Sequence, residues 1–484
     1  MKRLSKIITA VGVLLIAVVV ACVAVLNSLD FNEYRTLIAE QVKSATGRDL
    51  VINGNLNLHI SFNPSLAGDG VTFANAEWGS NPQMASMDSF AAEVSLLPLL
   101  SGDIQVKRIV LQGLNVLLET NSSGAANWDF SSGETDTSSQ DSGGETSLPV
   151  VHSIQIRDVK VTYRDGTSGD VQDISLDVLE LASDGASSPM KMLLETVYNQ
   201  ESIKISGTLG SIDSLSDNKI FPVKLDIEAL GADISIDGTV GEPRNAKGLN
   251  LGFDIKSDNI ASVATRGLTM AGVDGGSPLP AKPFSASGAI RDGDNTWTVD
   301  GLALKIGGSD VAGNVAVNMN GKRPNISADL SSTLFDLADV TVEAKGSAEA
   351  ASSPDDGRVF PNDPLPLEGM KSTDAVIAFK GKTVNADGLL FTDVEVELAL
   401  KNARLDVSPF GLTFAGGRIG GDVTLDGSSS MAKLSMSVEG KQVDYGQILK
   451  DMAGDESLRG KLDMAIQING SGASVRALMA GLNG

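Results

Sequence analysis

Cysteine and histidine are almost absent from this chain, and their scarcity excludes two kinds of chemistry. Cys22 is the one cysteine among 484 residues, so no disulfide can form within the chain. A zinc site of cysteine and histidine ligands needs more than Cys22, His59 and His152 provide. His59 lies on the polar side of a strand-like segment, which predicts a surface histidine, and His152 begins a strand, which predicts a structural role. We therefore expect no metal ion and no cofactor.

Positive charge is also scarce. The chain has 38 Lys and Arg against 61 Asp and Glu, which gives a net charge of −23. Nucleic-acid binding needs a basic surface, so we expect no nucleic-acid partner. The same balance disfavours a body that lies flat on anionic headgroups. The acidic side chains instead keep a long surface soluble.

Familiar catalytic motifs are missing as well. The sequence has neither a Gly-x-Ser-x-Gly elbow nor a phosphate loop ending in Gly-Lys-Ser/Thr. A two-carboxylate glycosidase would need aromatic side chains that stack on sugars, and aromatics are only 4% of the chain. Trp78, Trp128 and Trp297 are isolated near Gly or Asn, which predicts plugs of a core or turn. We expect no enzyme, and an envelope hydrolase is the weakest hypothesis.

The N-terminal segment has the length and charge pattern of a membrane anchor. Residues 7–26 are uncharged, and at 1.5 Å per residue they reach about 30 Å, the thickness of the hydrocarbon core. Lys2, Arg3 and Lys6 precede this run, whereas the next positive residue is Arg35. The positive-inside rule therefore predicts a single-pass helix with a cytoplasmic N-terminus and the body outside. The anchor positions include Ile7, Leu14, Val20 and Leu26.

Two alternatives apply to the same segment. It could be a cleaved secretory signal, although the apolar run is longer than most such signals use. Residues 19–22, Val-Val-Ala-Cys, also resemble a lipobox that would lipidate Cys22, although the apolar run continues beyond it. Either alternative still places the body outside the cytoplasm.

A helix and a turn signal follow the anchor. Phe31, Tyr34, Ile38, Val42 and Ala45 share one face of a helix that opens at residues 30–33. Gly47 is a plausible stop for that helix. Asn53-Gly54 between apolar runs predicts a hairpin.

Alternation of apolar and polar residues then recurs along almost the whole chain. A period of two predicts strands with one apolar and one wet face, joined by turns of Gly, Asp and Asn. The candidate residues of the apolar face are Leu114, Val116, Leu118, Val159, Val161, Ile234, Ile236, Val394, Val396, Leu398, Leu434, Met436, Val438, Leu462, Met464 and Ile466. Helical signals are few: residues 96–100, 444–452 and 474–482. These cannot cover so many strands, so the sheet either folds into a sandwich or barrel, or leaves an apolar groove.

Low-complexity segments divide the chain. We predict a cytoplasmic tip and anchor (1–28), an N-terminal domain of helix and sheet (29–130), and an acidic Ser/Gly linker (131–149). A β-rich body (150–346), a linker or long loop (347–366) and a C-terminal β domain (367–484) follow. The linkers are rich in Ser, Gly, Asp or Pro and poor in apolar residues.

Short motifs along the chain resemble the AsmA family. In the first part these are residues 46–50 (Thr-Gly-Arg-Asp-Leu), Asn53-Gly54, 75–79 (Asn-Ala-Glu-Trp-Gly), 96–102 and 124–128 (Gly-Ala-Ala-Asn-Trp). In the later part they are 364–367 (Pro-Leu-Pro-Leu), 416–421 (Gly-Gly-Arg-Ile-Gly-Gly), Val443-Asp444 and 470–472. Each motif is short, but their order and spacing make the resemblance specific.

The resemblance implies a bacterial inner-membrane anchor with a periplasmic sheet similar to that of bridge-like lipid transporters. The expected fold is mainly β: a transmembrane helix, then an elongated, curled antiparallel sheet with few short helices. The implied function is outer-membrane biogenesis, with phospholipid bound or conducted along an apolar groove. The alternative is an assembly factor that affects insertion of outer-membrane proteins without carrying lipid. The expected partners are the bilayer, phospholipid and outer-membrane assembly components. Because the family's last helix leads into further strands, we expect a shortened or truncated C-terminal domain.

Overall fold

A computed structural model of the chain describes residues 34–59, 61, 63–95, 105–130, 150–273, 279–341, 365, 367–448 and 459–484. The predicted anchor, the turn at 96–100 and the linker 131–149 lie outside these residues, as does nearly all of 347–366. Among the helices of the described ranges, none combines the length and the apolar character needed to cross a bilayer. The described chain is mainly β, as the alternation predicts, and it divides into two compact units.

The first unit ends at Asp217 and also takes in Leu225–Ala229. Its elements are α1 (Tyr34–Thr46), β1 (Leu50–Ile52), β2 (Leu56–His59), β3 (Ser65–Ala74), β4 (Gln83–Val94), β5 (Gln105–Gln112), β6 (Asn115–Glu119), β7 (Val150–Arg164), β8 (Val171–Ser183), β9 (Pro189–Tyr198), β10 (Glu201–Ser211) and α2 (Ile212–Ser216). Strand β11 (Phe221–Ala229) is divided between the two units.

The second unit comprises Asn218–Lys224 and Leu230–Gly484. Its elements are β12 (Ala232–Glu242), β13 (Lys247–Ser257), α3 (Ile260–Met270), β14 (Phe284–Gly293), β15 (Thr296–Ile306), β16 (Ser309–Asn318), β17 (Asn325–Asp336), α4 (Glu368–Ser372), β18 (Asp374–Ala386), β19 (Leu389–Lys401), β20 (Arg404–Phe414), β21 (Gly417–Asp426), β22 (Ala432–Asp444), β23 (Lys461–Gly472) and α5 (Val475–Ala480). Single 3-10 turns lie at Pro243–Asn245 and Leu337–Asp339.

Strand pairing is mixed, which corrects the expectation of a purely antiparallel sheet. Consecutive strands pair antiparallel in most cases, but β5 and β6 both run parallel to β7, and β17 runs parallel to β18. A parallel pair needs a long crossover connection. The connections from β6 to β7 and from β17 to β18 contain the two low-complexity segments, 131–149 and 347–366. The strands of each parallel pair are thus joined by a long connection, as parallel pairing requires.

The helix predicted to follow residues 7–26 is present as α1, but the prediction of a hairpin at Asn53-Gly54 is wrong. Helix α1 ends at Gly47, whose amide donates to the Lys43 carbonyl at 2.8 Å in a left-handed turn. Strands β1 and β2 do not pair with each other, since both pair with β3. The Asn53 and Gly54 amides also donate across to β3, so the Asn-Gly pair interrupts one strand instead of reversing the chain.

The later helices are confirmed in part. Residues 445–448 are helical, Asp444 instead ends β22, and residues 449–452 lie outside the described residues. Helix α5 begins after Ser474, whose hydroxyl accepts from the Ala477 amide at 3.1 Å. The sequence interpretation missed α3, although Asn259 caps it by accepting from the Ser262 amide at 3.1 Å.

Candidate functional site

In the second unit, strand register aligns apolar positions into one continuous face. Residues directly opposite each other on paired strands share a face of the sheet. Ile234 of β12 lies opposite Ile255 of β13, which lies opposite Ala286 of β14. Farther along, Val396 of β19 lies between Phe379 of β18 and Phe410 of β20. We call this the apolar face of the second unit.

The structure places every candidate residue of the second unit on this face. They are Ile234, Ile236, Val394, Val396, Leu398, Leu434, Met436, Val438, Leu462, Met464 and Ile466. The connecting register passes through Val407 and Val423, which link Leu398 to Met436 across β20 and β21. Sequence alternation identified these residues strand by strand, whereas only the register shows that they form one surface.

The first unit carries an apolar face of its own. Val116 of β6 lies opposite Val161 of β7, and Val161 lies opposite Ile174 of β8. Leu118 is paired with Tyr163 on this face, and Val159 is paired with Leu176 of β8. Leu114 lies just before β6, where its carbonyl accepts from the Lys160 amide at 2.8 Å.

Both apolar faces are half-buried rather than enclosed. Leu462 and Ile466 of β23 are 46% and 40% exposed. Most other residues of these faces have intermediate exposure. Among the described residues, the largest side chains that are fully buried are only Val443 and Asn127. Two stacked sheets would interdigitate their inner side chains into a dry core, so the burial favours an accessible apolar face over a filled sandwich.

The opposite face of the strands is charged and wet. Ion pairs cross from strand to strand on it, for example Lys204 to Glu195 at 3.2 Å. Arg157 pairs with Glu180 in the same way. Exposed pairs of this kind contribute roughly 0–1 kcal/mol each. These charges make one face of the strands polar and hydrated. An apolar ligand can therefore bind only on the opposite face.

The tryptophans are too exposed to plug a core, although Trp78 and Trp128 lie in turns, as the other half of the prediction has it. Trp78, Trp128 and Trp297 are 41%, 39% and 48% exposed. Trp297 lies in register with Val317, so its indole belongs to the apolar face of the second unit. The Trp128 ring lies 6.2 Å from the Tyr163 ring, centroid to centroid. These large rings stay partly exposed because no other residues of the described chain pack over them to enclose them.

A buried polar cluster lies beneath two Trp-bearing loops of the first unit. Glu119 is 3% exposed, and its Oε1 accepts from Asn75 Nδ2 and from the Ser80 amide, both at 2.8 Å. Asn127 is fully buried and donates to Asn75 Oδ1 at 2.9 Å and to the Leu117 carbonyl at 2.8 Å. Its Oδ1 accepts from the Glu119 amide at 3.0 Å. We call Asn75, Ser80, Glu119 and Asn127 the polar cluster.

The polar cluster gives two of the family-like motifs a structural role. Residues 75–79 and 124–128 contribute Asn75 and Asn127, whose hydrogen bonds join the loop after β3 to the loop after β6. Burial raises the pKa of Glu119, but hydrogen bonds from Ser80 and Asn75 lower it by more, so the net pKa lies below its ordinary value. The sequence interpretation had no signal for this pairing except the motifs themselves.

Acid should therefore weaken the first unit through Glu119. A carboxylate with a depressed folded-state pKa stabilises the fold above its unfolded pKa, about 4.3 for Glu, and this stability is lost as the pH falls through the folded pKa. We expect thermal unfolding followed by Trp fluorescence, in a Trp297→Phe background, to shift to lower temperature below about pH 4. Glu119→Gln should unfold earlier at neutral pH and show a shallower acid dependence. Equal acid dependence in both proteins would contradict this assignment.

No group of three or more His, Cys, Asp or Glu side chains that could hold a metal ion occurs among the residues the structure describes. The depressions on the described surface are lined mainly by polar and charged side chains, such as Arg418, Asp422 and Glu439 on β21 and β22. The feature that distinguishes this surface is thus the apolar face.

Comparison with known proteins agrees with this architecture. The model of the AsmA family matches residues 1–225 and 292–484. The chain belongs to the AsmA family. It is 21% identical to AsmA family protein YhjG of Escherichia coli (strain K12), over all of this chain and 76% of that relative. It is 20% identical to Protein AsmA of the same organism, over 97% of this chain and 71% of that protein. No solved structure matches the chain.

The family match confirms the relationship that the short motifs indicated. It also supports an envelope-associated role. The matched ranges include both the polar cluster and strands β15 to β23. This AsmA-family chain thus combines a half-exposed apolar face with a wet charged face in each unit.

Proposed function

We propose that this AsmA-family protein is anchored in the bacterial inner membrane and binds or conducts phospholipid along its apolar faces during outer-membrane biogenesis. The observation that carries the proposal is the continuous, half-exposed apolar face of the second unit, in register from β12 to β23. Large accessible apolar surfaces on a folded protein mark binding sites. An acyl chain binds through apolar contacts alone, so such a surface is sufficient to bind it.

The mechanism is passive. Each methylene removed from water stabilises the bound state by about 0.8 kcal/mol, and aliphatic side chains offer no directional contact that would hold a lipid at one position. Acyl chains therefore slide along rows of Leu, Ile, Val and Met while headgroups remain in water. No residue on the face acts as a catalyst, and none is an enzyme's nucleophile or base.

The predicted anchor holds the N-terminal end of the described chain at the bilayer. Helix α1 begins at Tyr34, soon after the predicted membrane span of residues 7–26. Arg35 Nη1 donates to the Gly54 carbonyl at 2.8 Å, which ties α1 to the segment between β1 and β2. A cytoplasmic N-terminus then places the described residues in the periplasm, with the first strands next to the inner membrane.

Photo-crosslinking from adjacent residues tests the proposal. Leu398 lies on the apolar face and Ala399, its neighbour on β19, lies on the wet face. We expect a benzophenone amino acid at position 398, introduced into the full chain in cells, to give covalent phospholipid adducts detected by mass spectrometry. The same probe at position 399 should give few or none. Equal lipid capture from both positions, or none from either, would overturn lipid binding by this face.

A second candidate function rests on the edge of β23 away from β22. Among the described residues, this edge is bridged only at Asn469, by Asn483. Exposed edges can accept a strand from another protein, as an assembly factor for outer-membrane proteins would require. A probe at Ala465 that captures outer-membrane proteins, together with no lipid at position 398, would favour this alternative.

A further inference from the structure

Two methionines lie on the apolar face of the second unit, and both belong to its last two described strands. Met436 lies on β22 and Met464 on β23, whereas none of the described strands β12 to β21 contains a methionine. Aromatic side chains end just before them: β17 to β20 carry five phenylalanines, and β21 to β23 carry no Phe, Trp or Tyr. The apolar face here changes from rings to aliphatic side chains and thioethers.

Strand register connects Met436 to the position chosen for photo-crosslinking. Leu398 of β19 lies opposite Val407 of β20. Val407 lies opposite Val423 of β21, which lies opposite Met436. Three strand spacings of about 4.8 Å place Met436 about 14 Å from Leu398. An acyl chain that crosses the strands along this row can therefore contact both side chains.

The Met464 side chain lies flat on the same face. A Cβ built on Gly440 of β22 would lie 3.0 Å from Met464 Cγ and 2.8 Å from its Cε, so the sulfur between these two carbons lies over Gly440. The neighbours of Met464 on this side of β23, Leu462 and Ile466, are 46% and 40% exposed. The thioether therefore lies on an open part of the face, where both an acyl chain and a small solute can reach it.

Thioethers are the side chains of this face that a mild oxidant can change. Hydrogen peroxide transfers one oxygen atom to the sulfur, its O–O bond breaks and water leaves, so the sulfur loses two electrons and the peroxide gains them. The product, methionine sulfoxide, is polar where methionine is apolar, and methionine sulfoxide reductases reverse the reaction. The Leu, Ile and Val side chains around the two methionines do not undergo this chemistry.

We propose that Met436 and Met464 are sites of reversible oxidation by a peroxide, and that their sulfoxides reduce lipid binding on strands β21 to β23. This inference rests on the proposed function, because the affected ligand is the acyl chain. A lipid that covers a sulfoxide must remove water from the polar S–O group, and the aliphatic neighbours offer that group no hydrogen bond. Burial of one such unpaired group weakens binding by roughly tenfold. Lipid binding on this part of the face then falls under oxidising conditions and recovers on reduction.

Oxidation of the full chain before lipid capture tests this inference. The protein is treated with hydrogen peroxide in detergent, the oxidant is removed, and the protein is reconstituted in nanodiscs of phosphatidylglycerol that carries a photoreactive acyl chain. Peptide mapping by mass spectrometry then measures both sulfoxides and lipid adducts on β19 to β23. Capture by oxidised wild type should fall roughly tenfold on these strands and recover after treatment with methionine sulfoxide reductases. Met436→Gln with Met464→Gln should lower capture to a similar extent without oxidant.

Matched leucine variants separate these two methionines from the others. Met436→Leu with Met464→Leu removes both thioethers at nearly constant volume, so capture by this protein should resist oxidation. Met431 and Met479 are 53% and 39% exposed and lie off the strands, one just before β22 and the other on α5. Met431→Leu with Met479→Leu should therefore still lose capture on oxidation, as wild type does.

The outcomes that contradict the inference differ from those that contradict the proposed function. Equal loss of capture in oxidised wild type and in oxidised Met436→Leu with Met464→Leu would overturn the inference, as would full capture by a protein whose Met436 and Met464 both carry the added oxygen. Complete oxidation of Met431 with none at Met436 and Met464 would overturn it too, as would loss of the β-sheet circular dichroism on oxidation, since lost binding would then reflect unfolding. Absence of capture by reduced wild type would contradict the proposed function itself, and this inference with it.

Discussion

Asn127→Ala should destabilise the first unit by about 3 kcal/mol, because it breaks three buried hydrogen bonds at once. The Asn127 side chain accepts from the Glu119 amide and donates to Asn75 and to the Leu117 carbonyl. Alanine removes these three bonds from a site that is 0% exposed, and Asn75 Oδ1 then keeps only the Ala76 amide as a donor. Each buried polar group left unpaired costs about 1–3 kcal/mol. Denaturant unfolding followed by Trp fluorescence in a Trp297→Phe background measures the loss, since Trp78 and Trp128 lie in the joined loops.

Asn121→Ala provides the matched control in the same loop. The Asn121 Oδ1 also accepts from backbone amides, those of Ser123 and Ala125, but these groups are exposed and water replaces the lost partner. We expect this variant to lose less than about 1 kcal/mol. If the two asparagine variants are equally stable, the polar cluster does not join the two loops energetically. Asn127→Asp should be as harmful as alanine, since a carboxylate cannot donate to the Leu117 carbonyl.

The β class and the composition of the apolar face could be predicted from sequence because a period of two has a direct physical meaning. Val394, Val396 and Leu398 alternate with Asp393, Glu395 and Glu397, and only an extended strand separates these two sets onto opposite faces. Burial follows the same alternation in the structure, for example along β19. Local patterning alone is sufficient for such a strand.

Pairing partners could not be predicted, because alternation does not specify which strand lies beside which. Asn53-Gly54 has the chemistry of a tight hairpin, yet hydrogen bonds to Asp69 and Gly70 of β3 hold both flanking segments against the same neighbour. The parallel pairs β5 with β7 and β17 with β18 depend on long connections whose composition indicates only a linker. Contacts between distant residues decide each of these cases.

The same limit applies to the polar cluster. Asn75 and Asn127 are 52 positions apart in the sequence, and only the packing of two loops brings their amides to 2.9 Å. Likewise, the sequence does not show that Gly417 of the glycine-rich motif at 416–421 lies against Val443 of β22.

Gly417→Ala should destabilise the second unit by about 3 kcal/mol, because β21 passes too close to β22 at this position for any side chain. A Cβ on Gly417 would lie 2.4 Å from Val443 Cα and 2.5 Å from the Val443 nitrogen, and these are backbone atoms that cannot rotate away. Val443 is 2% exposed and lies just after a bulge at Gln442, whose φ is +57°. Overpacking such a site costs typically about 1–3 kcal/mol. Hydrogen–deuterium exchange should rise in β21, β22 and β23.

Gly293→Ala is the control that separates steric conflict from the loss of glycine itself. It ends β14, its φ is not positive, and a Cβ there would meet no atom within 4 Å. Alanine should therefore leave stability within about 0.5 kcal/mol of wild type or raise it slightly. Because Leu462 lies opposite Val443 on the apolar face, displacement of β22 by Gly417→Ala should also reduce lipid capture at position 398. Normal exchange protection and normal capture in that variant would mean that β22 moves without cost, and that the motif at 416–421 has another role.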